Sequence, residues 1–309
     1  MITRLLATCT LATCLTVTAA VTTSALAAEP STPPTPKTHD RWPSFSPDGQ
    51  FVAFERSRGR AMDIYVVGVD GSGLHRVTNA PPGTLSMSPA WLSPEHIIYT
   101  TTSISADYPD GSLFEVSSAG SDDHLIGPAG ARARSLSPDG KSLLLTTRNW
   151  EVAKLDLPSR TIAILSHPPA GTWDTEAAWS PDGTQIAFGC NFSSTEKVGR
   201  SDICAMKADG TDRHVLVHRS DASEWVTWSP DGKRIAFQAD RNDYSEGSIV
   251  VADVQSGQAE VISTKTGYTL NETPAWSPDG EWIALQVKTA DGYRIALMHP
   301  DGSAFHRLT

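Results

Sequence analysis

Trp228-Ser229-Pro230-Asp231-Gly232, followed by Arg234-Ile235-Ala236-Phe237, decides the fold, because the same unit recurs along the chain. The other copies begin Phe45-Ser46-Pro47-Asp48-Gly49, Trp91-Leu92-Ser93-Pro94-Glu95-His96, Leu136-Ser137-Pro138-Asp139-Gly140, Trp179-Ser180-Pro181-Asp182-Gly183 and Trp276-Ser277-Pro278-Asp279-Gly280. Successive serines are 47, 44, 43, 49 and 48 residues apart, a period that marks a repeat architecture. In each copy an aromatic residue or leucine ends a short strand. Proline then presets φ, aspartate can bond its own backbone and glycine accepts positive φ, which makes a tight turn.

A second strand follows the turn. After a loop of variable length comes a third strand, such as Asp63-Ile64-Tyr65-Val66-Val67, then an Asp-Gly turn (Asp70-Gly71, Asp209-Gly210, Asp301-Gly302) and a short fourth strand. Four antiparallel strands per unit, with no helical period anywhere, predict an all-β protein. The expectation is a six-bladed β-propeller of four-stranded antiparallel blades over residues 41–309. A lone blade cannot bury both faces, so neighbours must stack. Trp91, Trp179, Trp228 and Trp276 recur at one position and are read as filling the space between blades.

These Trp-Ser-Pro-Asp-Gly units resemble the β-propeller of the TolB family, whose repeats are called WD40-like or PD40 repeats. The resemblance runs from about Arg41 to Thr309. It implies an extracytoplasmic protein that makes protein–protein contacts at the cell envelope. Where TolB carries an N-terminal α/β domain, this sequence has a Pro/Thr-rich linker. Similar units occur in the propellers of prolyl oligopeptidases and in oligogalacturonate lyases.

Residues 1–28 read as a signal peptide: Arg4 precedes an uncharged apolar run that ends Ala25-Leu26-Ala27-Ala28, a small-residue cleavage site. Residues 29–40 read as the linker. Cleavage leaves no expected transmembrane span and places the mature chain in a secreted or periplasmic, envelope-associated setting, as a monomer. The net charge of −10 leaves no basic stripe for phosphates and excludes a nucleic-acid partner. Cys190 and Cys204 are the cysteines that survive cleavage, and export permits a disulfide between them. They lie in consecutive strands of the fourth unit, so the pairing depends on register. No CxxC motif, zinc cluster or EF-hand spacing is present, and no metal or cofactor is expected.

The Ser-Pro-Asp-Gly and Asp-Gly turns fall on one face of the ring and are uniform. The loops after the second strands and the connections between units fall on the other face and vary, which is where binding concentrates on a rigid frame. That reasoning selects Tyr108, Tyr244, Trp173, Asp174 and Tyr268 on variable segments. It also selects Arg41, Arg132, Glu176, Glu224, Trp225 and Glu272, which fall just before the innermost strands and should ring the channel mouth. Such a mixture suits an extracytoplasmic protein or peptide, or a polar small ligand. The alternatives are a polysaccharide lyase or glycosidase working through the mouth carboxylates, and a purely structural or sensory module. No Gly-x-Ser-x-Gly elbow, His-Glu-x-x-His or Walker A loop exists, and no catalytic residue is assigned.

If the repeated tryptophans are core, Trp179→Ala should destabilise the protein by about 3–5 kcal/mol through lost burial plus a cavity. Denaturant unfolding measures it, and a change below about 1 kcal/mol would place the residue on the surface.

Overall fold

The serine and aspartate of each repeated turn lock it from within. Ser229 Oγ donates to Asp231 Oδ1 at 2.6 Å, the same oxygen accepts the Lys233 N–H, and Ser229 Oγ accepts the Arg234 N–H. The same three bonds recur at Ser46/Asp48 and Ser277/Asp279. In the second repeat Glu95 takes the aspartate's part, receiving the Ser93 hydroxyl at 3.2 Å, and Ser93 pairs directly with His96. The third repeat replaces its Asp-Gly turn by Asp156, which accepts both the Ser159 N–H and hydroxyl.

The structure is a computed structural model and describes residues 37–105, 111–127, 130–193, 201–219, 222–240 and 246–309. The signal segment and most of the linker lie outside these residues. The first strand spans His39–Phe45, so regular structure starts two residues before Arg41. Asp40 is fully buried there, with both oxygens on the Arg56 guanidinium at 2.6 and 2.7 Å.

All regular elements among the described residues are strands, apart from a short 3-10 turn at Ser263–Lys265. The expectation of six equal blades is corrected by the hydrogen bonding. The propeller has four discrete four-stranded antiparallel blades, formed by the third to sixth repeats, and not six. The strands of the first two repeats belong to one eight-stranded sheet, joined by a parallel pairing of Met62 with Leu85. The cause is local. The second repeat's first strand, Thr84–Ser93, is ten residues long, and its extra N-terminal length runs back beside Met62. Gly83 N–H donates to the Arg60 carbonyl just ahead of that pairing.

The first strands of the repeats contact one another in sequence, and the last, Asn271–Trp276, contacts the first, His39–Phe45. They surround a central channel. The four tryptophans are 5–8% exposed. Trp91 Nε1 donates to the Ser44 carbonyl and Trp228 Nε1 to the Ala178 carbonyl, so each ties its repeat to the one before. Trp179 packs with Leu144 and Val152 of the third repeat and with Ile186 and Phe188 of its own.

A second tie between neighbours uses a β-bulge in each first strand. Two residues there oppose one on the second strand, as between Glu224 and Thr227. Trp42, Ser88, Glu176, Trp225 and Thr273 occupy this bulge with φ between 50° and 56°. The Ser88 N–H goes to Glu55 Oε1 of the preceding repeat at 2.6 Å. The N–H of Ala133, which pairs with Leu145 just before the bulge of its strand, goes to Thr100 Oγ1, that of Thr273 to Gln238 Oε1, and that of Trp42 to Gln286 Oε1. The last of these joins the final repeat to the first. Phe45, Val52 and Phe54 packed against Ala284, Ile295 and Leu297 complete that junction.

The expected disulfide is present: Cys190 and Cys204 are bonded, with Cα atoms 5.8 Å apart. Register explains it. Cys190 pairs with Asp202 and Phe188 with Cys204, so the cysteines are diagonal neighbours on one face of the sheet. Both are fully buried.

Removing one inter-repeat acceptor tests the bulge tie. Thr100→Val keeps the shape but strips the oxygen from a buried N–H, and should cost about 1–3 kcal/mol in urea unfolding with an unchanged m-value. A change below about 0.3 kcal/mol would show that the Ala133 N–H does not depend on Thr100.

Candidate functional site

The bulges shape the channel. Backbone at positive φ re-aims a side chain, and each bulge residue named above borders the space enclosed by the first strands. On the side of the uniform turns that space is a cavity of about 310 Å³, lined by first-strand residues of all repeats and by Glu176. On the variable-loop side lies a chamber of about 210 Å³, contributed by the first, fifth and sixth repeats. Trp42, Trp225 and Thr273 border both spaces and form a waist between them.

Arg41, Glu224, Trp225 and Glu272, all selected from sequence, meet in this chamber. Beside them are residues that sequence reasoning missed: Trp42, Gln238, Asp240, Thr273, Gln286 and Tyr293. The two glutamines come from the second strands, one step after Ala236-Phe237 and Ala284-Leu285. A polar residue following an apolar pair at a repeated strand position was the available signal.

Each glutamine is oriented by its neighbours. Gln286 takes the Trp42 N–H on its oxygen and donates its amide to Glu272 Oε2. Gln238 takes the Thr273 N–H and donates to both oxygens of Asp240 at 2.8 Å. Arg41 lies over the Tyr293 ring, 4.6 Å from its centroid. Around the chamber, Arg41 Nε, Trp42 Nε1, Trp225 Nε1 and Thr273 Oγ1 are buried polar atoms with no hydrogen-bond partner among the described residues. Buried donors without acceptors are costly, so a concentration of them at one cavity is informative.

The carboxyls are perturbed. Burial pushes Glu224 up to about 8, with the nearby Glu176 and Asp240 carboxylates adding to the shift and Arg134 opposing it. Burial also raises Glu272, against its Gln286 bond and the charges of Arg41 and Lys288. Further round the ring, fully buried Glu55 is raised to about 7 by burial, opposed chiefly by Arg132.

The remaining selected residues lie elsewhere. Glu176 pairs with Arg134 at 2.5 Å on the far side of the waist. Arg132 sits over the Trp42 ring at 5.4 Å. Asp174, within the first strand of the fourth repeat, is buried and paired with Arg213 at 3.0 Å. Trp173 tilts against Trp150, and Tyr268 packs on Phe305. Tyr108 and Tyr244 lie outside the described residues. Among the described residues no group of three or more His, Cys, Asp and Glu side chains could hold a metal ion. No helix there is long and apolar enough to cross a membrane.

No family model matches the chain, and no curated protein matches it. Solved structures do. TolB from Acinetobacter baumannii is 22% identical with a TM-score of 0.64, over 86% of this chain and 62% of that one. The chain thus spans under two thirds of that protein's length. An oligogalacturonate lyase in complex with manganese is 15% identical at TM-score 0.58, over 89% of this chain and 79% of that one. A puromycin hydrolase is 12% identical at 0.58, over 87% and 53%. The resemblance to TolB is distant and partial, and at these identities the similarities establish the propeller fold alone.

The chamber has a consequence for pH. Unfolded Glu224 ionises near its ordinary 4.5 and the folded residue near about 8, so folding takes up a proton in that window and stability falls as pH rises through it. Glu224→Gln removes this loss. The variant should match wild type near pH 4 and exceed it by roughly 1–3 kcal/mol near pH 8 in urea unfolding. Glu55 leaves a residual slope in both proteins. Parallel pH profiles would show that Glu224 is not the coupled group.

Proposed function

We propose that the protein is an exported binding module that seats a compact polar ligand in the chamber formed by Arg41, Glu224, Trp225 and Glu272. The observation that carries this reading is the convergence of unpartnered buried donors and perturbed carboxyls on one cavity. At about 210 Å³ the chamber suits a ligand smaller than a typical drug-sized molecule. The variable-loop face around its mouth is the surface for any peptide or protein partner. Residues 1–28 as a cleaved signal place this activity outside the cytoplasm, in the periplasm or secreted, with the protein acting as a monomer. The distant similarity to TolB supports that setting.

A second reading is favoured by a separate observation. Several structures of similar fold are lyases or hydrolases by name, and a glutamic acid that stays protonated at neutral pH can donate a proton. In that reading the polysaccharide-lyase or glycosidase alternative applies, with Glu224 as acid and Glu272 as base.

A thermal-shift screen of small polar metabolites separates the readings from an inert scaffold. A stabilising ligand should lose its effect in Trp225→Ala and keep it in Asp48→Asn, on the uniform face. The reverse pattern would move the site off the chamber. Bond cleavage of an acidic oligosaccharide, lost in Glu224→Gln, would establish the second reading in place of the first.

A further inference from the structure

The chamber is lined by groups of both charge signs. Arg41 acts on Glu272 and on Tyr293, over whose ring it lies. The charged groups that act on Glu224 are Glu176, Asp240 and Arg134, and Arg41 is not among them. Glu272 already receives the Gln286 amide, and Asp240 receives that of Gln238. The Glu224 carboxyl makes no hydrogen bond among the described residues, while its backbone lies opposite Gln238 in the sheet. The chamber therefore offers both an unused carboxyl and a cation whose Nε has no partner. The same chamber is lined by Thr273, 4% exposed and with an unpartnered hydroxyl, and by Trp42 and Trp225, whose indole N–H groups have no partner.

We propose, building on the binding reading above, that the chamber takes a small zwitterion of the α-amino acid class, its ammonium at Glu224 and its carboxylate at Arg41, the indole N–H groups and the Thr273 hydroxyl. Other ligand classes leave part of this set unanswered. A simple cation gives nothing to Arg41 or to the orphan donors. A polyanion such as an oligouronate brings several carboxylates to one chamber cation and sets the rest against Glu224, Glu272 and Asp240. A neutral sugar satisfies donors but neither charge. The Trp225 ring, which also lines the chamber, additionally favours an ammonium.

The placement has a proton signature. Free Glu224 is protonated at neutral pH, because burial and the facing Glu176 and Asp240 carboxylates outweigh Arg134. An ammonium beside it favours the carboxylate. Binding near pH 7 should therefore release close to one proton, and affinity should rise as pH goes from about 6 to 8.

The test is isothermal titration of the exported protein, in buffers of different ionisation heat, with alanine and serine as probes. Ethylamine, N-acetylalanine, galacturonate and glucose serve as controls. Alanine or serine should bind, with ethylamine and N-acetylalanine weaker by about tenfold or more. Proton release should disappear in Glu224→Gln, while Thr273→Val should weaken binding by several-fold and keep the release. Thermal melts of each variant establish that it is folded. If galacturonate or glucose binds in a Trp225-dependent manner and the amino acids do not, the zwitterion inference fails and the binding reading stands. Equal binding of alanine and N-acetylalanine also overturns the inference. If no probe binds, both fail.

Discussion

The structure depends on a hydrogen bond that crosses from one repeat to the next at four of the junctions. A side chain on the second strand accepts the N–H of a residue at or just before the bulge on the following first strand: Glu55 from Ser88, Thr100 from Ala133, Gln238 from Thr273, Gln286 from Trp42. A backbone held at positive φ costs a non-glycine residue roughly 1–2 kcal/mol and persists only where its surroundings fix it. Here the surroundings are the neighbouring repeat. The tie that closes the ring thus also turns Trp42 and Thr273 toward the channel, and there the geometry of stability and the geometry of the chamber are one. Gln238 and Gln286 serve both, since the amide that does not face a bulge N–H holds a chamber carboxylate.

Where the tie is missing, the packing changes. The equivalent second-strand position in the fourth repeat is Gly189, and a Cβ there would lie 3.2 Å from the Ser223 carbonyl oxygen and 3.7 Å from the Glu224 Cα. The backbone of the fifth repeat fills the space that a side chain takes elsewhere. In the third repeat, Thr146 receives the Arg134 guanidinium instead, and Arg134 carries its charge across to Glu176. Glu224 lies beside a junction bridged by no such side chain, near a carboxylate that Arg134 has already claimed. Burial is the main cause of its high pKa, and the Glu176 and Asp240 carboxylates add to it.

Much of this was legible in the sequence and some was not. The turns, the strand order within a repeat and the buried tryptophans followed from Trp-Ser-Pro-Asp-Gly alone, because that chemistry is local. The cysteine pair followed from strand adjacency, with register supplying the rest. The merging of the first two repeats into one sheet was not legible, since it hangs on the Met62–Leu85 pairing and on how far one strand extends. Within the site, position in the repeat located Arg41, Glu224, Trp225 and Glu272. It failed for Trp173 and Tyr268, which an isolated sequence presents as loop aromatics but which find partners in Trp150 and Phe305. Tyr293 was missed because its role comes from the closing junction, between residues more than two hundred positions apart.

The two faces of the ring also carry opposite electrostatics built from the same residue types. Aspartates of the uniform turns, such as Asp48, Asp182 and Asp231, are held below their ordinary range, first by the serine hydroxyl and then by backbone N–H groups. Glu55, Glu224 and Glu272 in the channel are held above theirs by burial. The turns contribute stability above the ordinary aspartate range and lose it as pH falls through their depressed values. The channel acids act in reverse, withdrawing stability as pH rises from about 4.5 toward 8. A scaffold that needed only to be stable would replace the channel acids with neutral groups of similar shape, as Thr100 and Thr146 already do at the position of Glu55. Retaining unpaired carboxyl capacity in a cavity that also holds unpaired donors costs folding free energy, and under the binding proposal a ligand that answers both would offset that cost.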